Sequence, residues 1–137
     1  MAGEVVVGYD GTDASRAALE EAIGLAKDLG SAMIAVFGYE VTKMGGEVKD
    51  QAKALQERGE QVTVEAVERA RSEGVEAESM TVDVAPAEAL TRIAKDRSAR
   101  LIVVGHHGEG PLPGALLGTT PYRLVHTAET PVVVIPQ

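Results

Sequence analysis

Short apolar runs alternate with longer stretches of helical periodicity along this chain. Val5-Val6-Val7 stops at Gly8-Tyr9-Asp10-Gly11, an apolar run meeting a turn, which predicts a first strand. Thr12 or Asp13 can cap the helix that follows, where Ala18, Ala22, Leu25 and Leu29 keep one face apolar up to Gly30. Ala32 to Phe37 is continuously apolar and predicts a buried second strand; Val41 to Val48, with Gly45-Gly46, reads as a loop. From Asp50 to Glu73, Ala52, Leu55, Val62, Ala66 and Ala70 recur at helical spacing. Gly59 falls on that same face at a cost of about 1 kcal/mol in helix propensity, so the helix either bends there or admits a close neighbour. After Gly74, Val75 to Val84 alternates with Met80, Val82 and Val84 on one side, the most polar strand and so an edge candidate. Pro86 opens a third helix with Leu90, Ile93 and Ala94 inward. Leu101 to Val104 is a fourth strand, Pro121 opens a fourth helix with Leu124, Val125 and Ala128 inward, and Val132 to Ile135 is a fifth strand.

The order βαβαβαβαβ implies an α/β fold: a parallel sheet with right-handed crossovers and helices on both faces. Such sheets bind ligands beyond the carboxyl ends of their strands, where the strand order reverses. If strands one and four are neighbours at that reversal, Asp10-Gly11 and Gly105 to Gly108 converge on one crevice. The 137 residues show no internal repeat or domain boundary and are read as one domain.

Composition narrows the chemistry. The chain has no cysteine, which excludes disulfides, thiol catalysis and Cys-ligated zinc, and its net charge of −8 disfavours nucleic acid and anionic lipid as partners. No apolar run approaches the roughly 20 residues that span a bilayer, and the N-terminus lacks a signal-peptide pattern, so a cytoplasmic protein is expected. Strand five, Val-Val-Val-Ile, is an apolar edge. It invites pairing with the same strand of a second copy, unless a loop or helix of its own chain covers it.

The stretch 104–120, VGHHGEGPLPGALLGTT, holds five glycines between strand four and helix four. A glycine-rich turn leaving a strand and ending at a helix N-terminus offers backbone N–H donors and the positive end of a dipole, a site suited to phosphate. Gly118-Thr119-Thr120 would form its far wall. The alternative is a flexible connection, although loops of this length are uncommon unless functional or disordered. Asp10 stands at the end of strand one, where it either serves this crevice or makes an Asx-turn with Gly11-Thr12. His106 and His107 point in diverging directions after a strand and lack a third ligand, so the reading is phosphate contact by one of them and no metal site. Glu109 would repel phosphate unless Mg²⁺ intervenes or its side chain turns away. Residues 105–120 contain no Lys or Arg, unlike a P-loop, and no activated nucleophile is legible. No catalytic residue is assigned, and slow hydrolysis is the most the stretch supports.

These residues carry a family resemblance. Gly105-His106-His107-Gly108, nine residues, then Gly118-Thr119 reproduces the G-x2-G-x9-G-(S/T) pattern of the ATP-binding branch of the universal stress proteins. VVVGYDGTDASRAALEEA at the start, PAEAL, LIVVG and the closing TPVVVIP are similar to that family too, so the resemblance spans essentially the whole chain. It implies a five-stranded sheet in the order 3-2-1-4-5, a homodimer through strand five, and binding of ATP or a related adenine nucleotide. Asp10 matches the family's acidic residue near adenine and ribose. Gly105 and Gly108 would line ribose and phosphates, while Gly118, Thr119 and Thr120 would hold the β- and γ-phosphates. Gly38 matches the position whose side chain usually packs on adenine; lacking one, it would leave room near the base. Val84 replaces a frequent glycine and Arg100 a frequent acid.

The expected function is that of an ATP-binding regulatory module of the stress response. Binding would order the 106–118 loop and shift contacts with an unidentified protein partner. The alternatives are a cyclic AMP binder, a slow ATPase, and a dimeric scaffold that binds nothing.

Overall fold

The computed structural model describes residues 3–41, 48–106 and 119–136. Among these residues nine elements alternate: β1 (Val5–Gly8), α1 (Asp13–Leu29), β2 (Met33–Gly38), α2 (Val48–Ser72), β3 (Ala77–Val82), α3 (Pro86–Asp96), β4 (Leu101–Gly105), α4 (Thr119–Thr127) and β5 (Val132–Ile135). The strands form one sheet in the order β3-β2-β1-β4-β5, and every pairing is parallel. This is the expected order, with the polar β3 at one edge and the apolar β5 at the other.

Alternation along β1 divides the core into two layers. Val5 and Val7 pack with Ala18, Ala22 and Ala66 beneath α1 and α2, whereas Val6 packs with Leu90, Ile93 and Leu124 beneath α3 and α4. β1, central in the sheet, is buried on both sides, which is why it reads as an unbroken valine run.

Local chemistry sets the element ends. Of the two candidate caps for α1, Thr12 does the capping: it is extended (φ −73°, ψ 162°) and its Oγ1 accepts the Ser15 N–H at 3.3 Å. Gly30 closes α1 in the left-handed region at φ 65°, donating to the carbonyls of Ala26 and Lys27. α2 runs without a break through Gly59, where a Cβ would lie 2.6 Å from both Phe37 Cδ1 and Thr81 Cγ2. Of the two readings of that glycine, close approach of a neighbour is the right one: it seats α2 on β2 and β3. Arg69 then bridges to Glu20 on α1, and Glu73, held by Arg69 and Lys27, has its carboxyl pKa lowered by those two partners.

α4 departs from expectation in two respects. It begins at Thr119 rather than Pro121, so the proline sits inside the first turn, where a missing N–H costs no helical bond. Leu124 is buried, but Val125 points outward and is 51% exposed. One residue advances a helix by about 100°, so adjacent positions cannot both face the core squarely.

Candidate functional site

The chain reverses direction across the sheet between β1 and β4: α1 carries it from β1 to β2, and α3 carries it from β3 back past β1 to β4. Diverging connections leave a cleft beyond the carboxyl ends of these strands. It contains about 500 Å³ of space, part of it open to solvent. Leu90 and Val104 form its apolar floor, the strand ends Gly8, Gly38 and Gly105 reach it, and Thr12, Pro86 and Thr120 bring the starts of α1, α3 and α4 to its rim. The cleft thus combines an apolar base with helix N-termini, where partial positive charge and first-turn N–H groups concentrate.

Asp10 lines this cleft and is exposed. It also makes the Asx-turn considered from the sequence: its Oδ1 accepts the Thr12 N–H at 3.0 Å and the Thr12 hydroxyl at 2.6 Å. The two readings of this residue are therefore compatible, because both of those bonds fall on one carboxylate oxygen. Asp10 is the single charged group among the described lining residues. Arg16, one turn into α1, is engaged elsewhere: it meets Asp13 at 3.3 Å, and a hydrogen bond to Tyr9 raises its pKa.

Two of the glycines owe their identity to the chain itself. A Cβ on Gly38 would fall 2.8 Å from Pro86 Cα and 2.9 Å from Val84 O. The expectation that Gly38 leaves room beside a base is corrected: the backbone of 84–86 occupies that volume. A Cβ on Gly105 would lie 2.5 Å from Ala14 O, so the absent side chain admits the first turn of α1. Both residues still present backbone to the cleft.

At the far wall, Thr119 and Thr120 open α4; Thr119 is exposed and Thr120, half-buried, lines the cleft. His106 follows β4 and its N–H donates to Ile135 O at 2.9 Å, tying the ends of β4 and β5 together. The structure thus brings Asp10, Gly38, Gly105 and Thr120 to one cleft. His107, Gly108 and Gly118, with the rest of 107–118, lie outside the described residues. His126 is exposed and packs edge-on to Tyr122 with ring centroids 4.6 Å apart. Among the described residues no three His, Asp or Glu side chains gather as a metal-holding group, and no helix is long and apolar enough to cross a membrane.

Ser15 also lines the cleft and is 7% exposed, though the sequence reading did not single it out. Its signal is the Thr12-x-x-Ser15 spacing, that of a capping box with serine in place of the usual Glu or Gln.

Comparison with known proteins agrees with this architecture. The model of the universal stress protein family matches residues 1–136. A universal stress protein of Methanocaldococcus jannaschii is 27% identical over 137 residues, covering 96% of this chain and 81% of the relative. Another, of Mycobacterium tuberculosis, is 34% identical over 138 residues; the match takes in 97% of this chain but only 45% of that longer protein. Among solved structures, a universal stress protein in complex with cAMP superposes with a TM-score of 0.72 at 28% identity, over 97% of this chain and 96% of the other.

Proposed function

The chain belongs to the universal stress protein family, and we propose that it is a regulatory module that binds an adenine nucleotide in the cleft between β1 and β4. The observation that carries this reading is the convergence of Asp10 with the N-terminal turn of α4 across an apolar floor. Asp10 offers a carboxylate to ribose or base hydroxyl and amino groups, while the first-turn N–H groups of α4 and the hydroxyls of Thr119 and Thr120 suit phosphate. In the G-x2-G-x9-G-T spacing, Gly105 presents its backbone to the cleft, and Gly108 and Gly118 would admit close approach of the phosphates, with His106 or His107 beside them. ATP is the proposed ligand. With no Lys or Arg between residues 105 and 120, Mg²⁺ would offset its charge, and phosphoryl transfer is at most slow. Cyclic AMP is the second reading, supported by the relative solved in complex with it; its single negative charge also asks less of a site without cations.

The test is equilibrium titration with Mg-ATP, AMP and cyclic AMP. ATP is expected to bind, and Asp10→Ala to weaken it by tenfold or more, since a hydrogen bond to a charged group is worth about 1.5–3 kcal/mol. Equal affinity of wild type and Asp10→Ala would remove Asp10 from the site.

The module is further proposed to act as a homodimer through β5. Among the described residues that strand pairs with β4 alone, all four of its residues are half-buried, and α4 exposes Tyr122 (58%) and Val125 (51%). A second copy paired along Val132–Ile135 would satisfy the open strand edge and cover apolar surface. Sedimentation equilibrium at micromolar protein should return twice the chain mass; the mass of a single chain at every concentration contradicts the dimer.

A further inference from the structure

We propose that Thr12 and Ser15 are positioning residues for Asp10, holding its carboxylate in place for a ligand before one arrives. The proposal rests on the reading of Asp10 as a ligand-contacting residue. It goes beyond that reading by assigning the residues that fix the carboxylate, and it follows from counting protons in one small ring of hydrogen bonds.

Each hydroxyl has one proton to give. That of Ser15 goes to Thr12 O at 3.0 Å, which leaves Ser15 Oγ as acceptor for the Asp10 N–H at 3.3 Å. The Thr12 hydroxyl gives its proton to Asp10 Oδ1 at 2.6 Å, the short separation typical of an O–H bonded to a carboxylate, and accepts the Ser15 N–H at 3.3 Å. The Thr12 N–H adds a second bond to the same oxygen at 3.0 Å. Donor and acceptor roles are consistent around the whole ring, and it ties Asp10 at both its main chain and its side chain. Gly11, at φ 84°, supplies the left-handed residue in the turn between Asp10 and Thr12. Ser15 is 7% exposed, so water has little access to replace its bonds.

A capping threonine needs only to accept the N–H of the residue three positions on. The Thr12 hydroxyl does this and also donates to a side chain that lines the cleft, which capping alone does not require. With Oδ1 holding both Thr12 bonds, Oδ2 is the oxygen left for the ligand. An exposed aspartate ordinarily gives up rotamer freedom when it binds; here the ring has already fixed the side chain, and that cost is reduced.

The experiment is a double-mutant cycle on Mg-ATP affinity, using wild type, Thr12→Val, Asp10→Ala and the variant carrying both. Thr12→Val keeps the side-chain shape, removes the hydroxyl, and should weaken ATP about tenfold, the effect of one hydrogen bond to a charged group. Thr12→Ser, which keeps the hydroxyl, should restore affinity. In the Asp10→Ala background Thr12→Val should change affinity no further. Thermal unfolding without ligand checks that each variant is folded at the titration temperature. If Thr12→Val does not fold, Ser15→Ala carries the same test with the same expected pattern. An equal loss in both backgrounds, or no loss in either, overturns the positioning role while leaving nucleotide binding in place. A wild type that binds no adenine nucleotide overturns the binding reading itself, and the positioning role falls with it.

Discussion

Replacing Leu90 with alanine should lower the unfolding free energy by about 3–4 kcal/mol, within the range for large-to-small changes in a core. Leu90 is 1% exposed and packs with Val6, Ile34 and Ile102 in the layer beneath α3 and α4. The cost of such a change depends on how far the surroundings can close the gap, and here they can close little. One side of Leu90 faces Gly8, where even a Cβ would come within 3.1 Å of its Cδ1. Gly8 has no side chain to move into the vacated space, and the backbone of the central strand β1 is held by parallel pairing to both β2 and β4. Leu90 is also part of the cleft floor, so the same change should weaken nucleotide binding through lost apolar contact. Urea unfolding at constant m-value checks the stability term; a loss below about 1 kcal/mol would mean that the floor repacks.

Gly105→Ala is the second large effect, and its cause is the opposite one. The new Cβ would fall 2.5 Å from Ala14 O and 2.7 Å from Ala14 C, both backbone atoms of the first turn of α1. Overpacking of this kind costs about 1–3 kcal/mol, and contact with main chain rather than a flexible side chain places the result in the upper part of that range. Relief requires α1 to move away from β4, and its first turn carries Thr12 and Ser15, the partners of Asp10. Stability and nucleotide affinity should therefore fall together. The nearest atoms to a Cβ on Gly59 belong to the side chains of Phe37 and Thr81 rather than to main chain, so Gly59→Ala should cost less. Gly24, with nothing within 4 Å of its would-be Cβ, is the control of opposite sign: alanine there should stabilise α1 by about 0.5–1 kcal/mol. Chemical unfolding of the three variants tests the ordering, and a Gly105→Ala protein as stable as wild type would show that α1 is free to shift.

The same glycines mark where the sequence was legible and where it was not. Short strand-length runs separated by helical periodicity point to a parallel sheet with covering helices: the inner strands β1 and β2, buried on both faces, show no polar alternation, whereas β3 alternates as an edge strand can. The position of Asp10 at a strand end followed from the same pattern. A glycine, however, says only that a Cβ is unwelcome, not what excludes it. Gly38 and Gly105 read as openings for a ligand, yet Pro86 and Ala14 occupy those volumes, and only the packing of α3 and α1 against the strand ends reveals this. Val125 misled for a different reason. α4 has nine residues, too few turns for periodicity to separate the inward Leu124 from its neighbour. The ring around Asp10 was invisible because it depends on the direction of each hydroxyl proton, although its residues stand within DGTDAS.

Thermal unfolding of the wild-type protein with and without Mg-ATP, AMP and cyclic AMP, at matched ionic strength, tests the central claim most directly. A ligand at 100 times its dissociation constant adds about 2.7 kcal/mol to the folded state. For a chain of this size that raises the midpoint by roughly 5–10 °C. The account predicts such a rise with ATP and its loss in Asp10→Ala; a larger rise with cyclic AMP would make that the ligand of the same cleft. An unchanged midpoint with all three nucleotides at millimolar concentration would contradict nucleotide binding.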